Sequence, residues 1–148
     1  MTRVTRHVFA PVESVFEVLV EPRTYPDWLV GAKEIRSVDD DWPAVGSRFH
    51  HRVGVGGPLT VADSTEVLDI DRPLLLALEA RARPLGRARV EFRLVALDHD
   101  DGRPVTRITM DEVPIGAIAP LAPILDPLTR SRNTASLNAL VAYLNAPR

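Results

Sequence analysis

The chain has 148 residues, no cysteine and a formal net charge of -2. That length suits one domain that buries a core without staples. The missing cysteines exclude a disulfide scaffold, a thiolate zinc site and a cysteine nucleophile, and the charge offers no basic surface for nucleic acid.

The opening TRVTRHVFA alternates, with Val4, Arg6 and Val8 on one side, which predicts a strand. Pro11 then stands where a helix tolerates a missing N–H, and Val12, Val15, Phe16 and Leu19 follow at helical spacing. Pro22 ends that helix. Tyr25 to Trp28, around Pro26, form a second short helix or turn. From residue 47 the pattern is strands and hairpins. GSRFHHRVGVGG places Phe49, His51, Val53 and Val55 on one face, and Gly56, Gly57 and Pro58 form a turn. LTVADSTEVLDI is a long strand that puts Asp63 in parity with Val61, Thr65 and Val67. PLLLALEARAR sets Leu74, Leu76, Leu78 and Ala80 together. RARVEFRLVAL turns Ala88, Val90, Phe92 and Leu94 inward and Arg87, Arg89 and Arg93 outward. DHDDGR is a polar hairpin loop. PVTRITMDEVPI aligns Thr106, Ile108, Met110 and Glu112. The last third carries Leu121, Leu125, Leu128, Leu137, Leu140, Val141 and Leu144 at helical spacing. Prolines interrupt its front, so the regular helix is expected after Pro127.

Consecutive hairpins make an antiparallel sheet, and segregated helices make the class α+β. The sheet's apolar face has to be covered, and the long C-terminal helix is the element large enough to do so. No repeat or linker divides the chain, so residues 1–148 are one domain. No apolar run is long enough to span a bilayer, and MTRVTRHVFAPVESVF has no signal-peptide core. The expectation is a cytoplasmic protein with no stable membrane insertion.

The candidate polar groups of the interior follow from parity. His51 and not His50 faces inward, as a general base or a hydrogen-bond partner for a ligand; a histidine satisfied by solvent or backbone is the alternative. Asp63 and Glu112 are candidate acids or bases on the same face, with Arg132 or Asn133 as partners for a carboxylate. Asn133 lies on the apolar stripe of the last helix, where an amide must be hydrogen-bonded. Tyr25 and Trp28 are either an aromatic lid over a ligand or a plug of the core. His7 and His99 read as surface residues. No spacing of histidines and carboxylates matches a metal site, GVGGP lacks the lysine and hydroxyl of a phosphate loop, and no cofactor is called for.

The segments VFAPVESVFEVLVEPRTYPDWL, AVGSRFHHRV, DSTEVLDIDRPLLLALEARARP, PLGRARVEFRLVAL and GRPVTRITM, in that order, resemble the START-like, helix-grip superfamily, also called SRPBCC or polyketide cyclase/dehydrase. The resemblance covers essentially the whole chain. It implies a curved sheet of about seven strands wrapped on a long C-terminal helix, with two short helices after the first strand. It also implies a cavity between sheet and helix, and the same fold serves lipid carriers, cyclases, allergens and hormone receptors. The function expected is binding of a hydrophobic small molecule, lipid or polyketide-like. Phe16, Tyr25, Trp28, His51, Leu78, Phe92, Met110, Leu125 and Asn133 are the candidate ligand contacts. Two alternatives stay open: an aromatase/cyclase or dehydratase using His51, Asp63 and Glu112, and a protein-interaction module with a small cavity. The sequence leaves monomer and dimer both open.

Overall fold

The computed structural model describes residues 1–56, 58–99 and 101–146. Gly57 and Asp100, expected in the turns at those positions, lie outside the described residues. The elements in chain order are β1 (Thr2–Val8), α1 (Val12–Leu19), a 3-10 turn (Pro22–Thr24), α2 (Tyr25–Trp28), β2 (Ala32–Val38), β3 (Arg48–Gly56), β4 (Leu59–Asp71), β5 (Leu75–Ala82), β6 (Gly86–Asp98), β7 (Pro104–Ile115), a 3-10 segment (Gly116–Leu121) and α3 (Ala122–Asn145).

The strands form one antiparallel sheet in the order β1-β7-β6-β5-β4-β3-β2. Hairpin connections give this meander, and β1 is added at the far edge beside β7. An edge strand leaves backbone groups unpaired. Here the guanidinium of Arg130 donates to the carbonyl of Arg3, and that of Arg6 to the carbonyl of Thr5.

Because the strands alternate in direction, the connections sort to two ends of the sheet. The upper end gathers the α2–β2 loop, the β3–β4 and β5–β6 turns and the β7–α3 connection. The lower end gathers residues 9–11, 39–47, 72–74 and the β6–β7 turn.

The inner face is built by the parity read from the sequence. Phe92 pairs with both Leu76 and Met110, and Met110 with Val4. These four side chains are buried, as are Val67, Leu78, Val90 and Ile108. Helix α1 closes the lower end with Val12, Val15, Phe16 and Leu19, while α3 lays Leu137 and Leu140 across the sheet. The outer face is a lattice of ion pairs. Arg48 and Arg81 both meet Glu66, Arg81 and Arg87 meet Glu79, Arg89 and Arg93 meet Glu91, and Arg3 meets Asp111. Arg81 and Glu79 are largely covered, whereas Arg3, Arg89 and Arg93 reach solvent, and pairs exposed in that way are worth little individually.

Two features differ from the sequence reading. Residues 32–38, where alternation is faint, form β2. Helix α3 begins at Ala122, not after Pro127, which sits inside it. Proline removes one i to i-4 hydrogen bond. At Pro127 the acceptor left over is the carbonyl of Pro123, and both residues are exposed, so water can take its place. The leucine stripe also splits. Leu137 and Leu140 are buried, Leu125 is half-buried, and Leu121 and Leu128 face solvent.

Candidate functional site

The aromatic residues around Pro26 sit in the core. Tyr25 and Trp28 are each 2% exposed. Tyr25 packs edge-on against Trp28 and Phe49, Trp28 against Phe92, and Trp42 against Phe49, with ring centroids 5.1–6.2 Å apart. Their polar handles are used within the chain. The Tyr25 hydroxyl donates to the Leu19 carbonyl, Trp28 Nε1 to Thr24 Oγ1 at 3.0 Å and Trp42 Nε1 to the Val20 carbonyl at 2.8 Å. Burial pushes the Tyr25 phenol well above its usual range, so it stays a neutral donor. The pair therefore plugs the lower and middle parts of the core. It does not face the β3–β4 hairpin, because Phe49, its contact on β3, is at the opposite end of that strand. Phe16, with Arg72 lying over its ring at 5.4 Å, belongs to the same lower region.

Toward the upper end the inner face changes character. Thr65, Ala80 and Ala88 succeed one another across β4, β5 and β6. Ala80, Ala82 and Ala88 are half-buried although they lie on the helix-facing side. The helix above them is equally open. Thr129 and Asn133 are the first buried residues of α3, while Ala122 and Leu125 are half-buried. The incompletely covered first turns of α3 and the small side chains on the upper inner face make the upper end of the sheet–helix space the candidate cleft.

Two polar clusters flank this cleft. On β3, His51 is 4% exposed, and its Nε2 is 2.9 Å from Thr65 Oγ1. Its Nδ1 is buried without a hydrogen-bond partner among the described residues. Burial lowers the His51 pKa below the usual value, against the opposing pull of the Ser64 carbonyl and the Asp63 charge, so the ring is neutral at pH 7. Across the strand pair, Asp63 receives the backbone N–H of Ser64 and the backbone and guanidinium of Arg83 at 2.8–3.1 Å. Burial alone would raise the Asp63 pKa, but these donors outweigh it and hold the carboxyl at about 2.

On β7, Glu112 accepts from Arg132 Nη2 at 2.6 Å and from Asn133 Nδ2 at 3.1 Å. Both partners expected from the sequence are engaged, and they tie α3 to the sheet. Thr2, the cross-strand neighbour of Glu112, has a buried hydroxyl that no described residue satisfies.

The structure does not unite the three acid–base candidates. His51 and Asp63 are cross-strand neighbours, but Glu112 stands three strands beyond Asp63, roughly 14 Å along the sheet at ~4.8 Å per strand. Leu78 and Met110 line the buried inner face and Leu125 the rim of the cleft. Sequence reading did not single out four contributors. Thr65 was visible through its parity with Asp63. Arg83 is in a turn, where no periodicity marks a partner. Ala80 and Ala88 matter through the space they leave, which a search for reactive side chains passes over. Two surface concavities lie outside the sheet–helix space. One is a groove of about 240 Å³ beside His7, Phe9 and His99, and the other is a notch of about 70 Å³ beside Met1 and Arg89. No group of three or more histidines and carboxylates among the described residues is placed to hold a metal.

The family model described as polyketide cyclase / dehydrase and lipid transport matches residues 1–145. No curated protein matches in sequence. Among solved structures, protein CV1439 from Chromobacterium violaceum is 16% identical, with 98% of this chain and 96% of that chain covered and a TM-score of 0.70. The Zhui aromatase/cyclase from Streptomyces sp. R1128 is 21% identical, with 97% and 92% covered and a TM-score of 0.65. The protein Ara h 8.0201 is 14% identical, with 96% and 95% covered and a TM-score of 0.69. At these identities the likeness is one of fold, the helix-grip fold expected from the sequence.

Proposed function

The chain belongs to the polyketide cyclase/dehydrase and lipid transport family, and on that premise we propose that it binds a hydrophobic small molecule, lipid or polyketide-like, in the cleft between the upper sheet and α3. One observation carries the reading: the upper inner face carries the half-buried alanines Ala80, Ala82 and Ala88, and the first turns of α3 are incompletely covered. Floor and walls are apolar, and the polar groups are few and fixed, which is the composition of a ligand pocket. Ala80 and Ala88 form the floor; Leu125 is a wall. The Nδ1 of His51 is a polar group left for a ligand, as is the Thr2 hydroxyl, since Asp63, Glu112 and Asn133 are engaged with one another or with arginine.

The binding role is favoured over acid–base catalysis by the state of the carboxylates. A proton-transfer group works best with a pKa near the working pH. Asp63 is held at about 2 by Arg83, and Glu112 is spanned by Arg132 and Asn133. Of the three, only His51 keeps a ring nitrogen without a partner among the described residues, and burial lowers its pKa. The third alternative, an interaction module with a small cavity, gains nothing from the cleft itself.

Native mass spectrometry of the protein purified from its host tests the reading. A co-purifying apolar molecule is expected, lost in Ala88→Phe, which fills the cleft from the sheet side. Absence of any bound molecule, together with no uptake of a fluorescent fatty acid, would overturn it.

A further inference from the structure

Large exposed apolar side chains are distributed unevenly. Among the described residues, and apart from the terminal Met1, six of them, Val30, Leu59, Leu85, Leu121, Ile124 and Leu128, sit at the upper end, and four, Phe9, Val45, Leu74 and Val95, lie elsewhere. Ile124 and Leu128 are 72% and 70% exposed, at a spacing that puts them on one ridge of α3 with Leu121. Val30, Leu59, Leu85 and Leu121 come from four separate connections at the upper end, and Ile124 and Leu128 from the first turns of α3. Beside them, Ile118 lies against Gly86, where a Cβ would stand 2.4 Å from its Cδ1, so the β5–β6 turn is held close to the 3-10 segment.

Charge is sorted along the same axis. Residues 30–33, 58–60, 82–87 and 116–132 of the upper end contain Lys33, Arg83, Arg87, Arg130 and Arg132 against one carboxylate, Asp126. The lower connections, residues 38–47, 69–74, 99 and 101–104, contain Asp39, Asp40, Asp41, Asp69, Asp71 and Asp101 against Arg72 and Arg103. Arg83, Arg87 and Arg132 are paired with Asp63, Glu79 and Glu112 on the strands behind them. Among the described residues no carboxylate pairs with Lys33 or Arg130. A chain of net charge -2 therefore presents a basic, apolar upper end and an acidic lower end.

We infer that the upper end docks onto an anionic lipid surface, with Leu121, Ile124, Leu128, Leu85 and Leu59 entering the acyl boundary and Arg130 and Lys33 meeting headgroup phosphates. The exposed side chains protrude singly around an opening and form no groove for a shaped partner. A fluid apolar phase fits such a crown. The basic rim matches the sign of the anionic headgroups, and the acidic lower end is held away from them. A second copy fits less well, because two upper ends would oppose like charges, and an upper end against a lower end makes an open chain. No helix among the described residues is long and apolar enough to cross a membrane, so the contact is peripheral. The inference does not depend on what the cleft holds.

Flotation of the full chain with vesicles of phosphatidylcholine, alone or with phosphatidylglycerol, tests it. Binding is expected only with phosphatidylglycerol and falls as salt is raised. Ile124→Ser/Leu128→Ser is expected to weaken it by about tenfold or more, and Arg130→Gln by several-fold, while Phe9→Ser at the lower end leaves it unchanged. Both exposed serine replacements leave the core intact, and circular dichroism checks that the fold is kept. Failure to float at low salt, equal binding to both vesicle types, or binding indifferent to Ile124→Ser/Leu128→Ser would overturn the inference. Concentration-dependent self-association abolished by that same double variant would also overturn it and assign the crown to a second copy.

Discussion

The lower and upper halves of this sheet are continuous, yet they follow different rules. The lower half is closed. Phe16, Leu19, Tyr25, Trp28, Phe49, Leu76, Phe92 and Met110 fill it, and every aromatic N–H or O–H there has an acceptor in the chain. The upper half is open, with alanine on the sheet, the first turns of α3 exposed, and buried polar groups at His51 and Thr2 that no described residue completes. The difference teaches a division of labour. Stability is concentrated where large rings interlock, which frees the other half to keep space and unpaired atoms that a tightly packed core would not tolerate.

The contrast breaks most plainly if large side chains matter equally in both halves. Trp28→Ala and Phe92→Ala each remove a fully packed ring from the closed half and should cost about 3–5 kcal/mol in urea unfolding. For Ile124→Ala in the open half, a change within about 0.5 kcal/mol is expected. A loss below about 1 kcal/mol at Trp28 would mean that the ring is not packed and that the lower half is open too.

The clasp between α3 and β7 is next in size. Glu112→Ala leaves the amide of Asn133, 1% exposed, without its acceptor. A stranded buried donor costs about 1–3 kcal/mol. Glu112→Gln keeps an acceptor for Asn133 and should lose less. Equal losses would show that the charge on Glu112, and not satisfaction of Asn133, is what the helix needs.

Asp63 sharpens the comparison through pH. Its folded pKa of about 2 is below the ordinary aspartate value of 3.8. A depressed carboxyl stabilises above its unfolded pKa and loses that stabilisation as pH falls through the folded value. The contribution is therefore full above about pH 4 and gone near pH 2. At 1.36 kcal/mol per unit it is at most about 2 kcal/mol, and less because Arg83 is largely exposed and screened. The Asp63→Asn variant should be destabilised by about 1–2 kcal/mol at pH 7 and should converge with the parent near pH 2. A difference independent of pH would place the cost in packing.

Much of this was legible in the sequence, and the reasons are specific. Alternation in residues 87–97 and 104–112 set the inward face, because a strand's period of two leaves little freedom once one face is buried. A partner for Asn133 could be expected in advance because its amide broke an apolar stripe, although the sequence left Asp63 and Glu112 both open as the carboxylate that α3 meets. The division into closed and open halves was not legible. Trp28 reads the same as plug or lid until its indole N–H is seen bonded to Thr24. Leu128 sits on the same helical spacing as Leu137, and only the angle of α3 to the sheet decides that one is covered and the other is not. Arg83 was missed because a turn has no period to break.

The smallest effect on stability belongs to His51, and it bears most directly on the open half. His51 Nε2 and Thr65 Oγ1 share one hydrogen bond, while Nδ1 has no partner among the described residues. Removing only the imidazole would strand the Thr65 hydroxyl. Replacing both groups together, His51→Leu/Thr65→Val, removes donor and acceptor at once, and such paired replacements are close to neutral or stabilising. Stability at pH 7 should change by less than about 1 kcal/mol. The parent should lose stability as pH falls below about 6.5, because burial lowers the folded pKa of His51 and protonation favours the unfolded chain. The double variant should lack that loss. If Nδ1 is held ready for a polar atom of the ligand, the variant should also bind a fluorescent fatty acid several-fold more weakly while remaining as stable as the parent. Unchanged affinity with raised stability would mean that His51 is only an imperfectly satisfied core residue, and the polar end of the ligand would then have to be sought at Thr2 and Glu112.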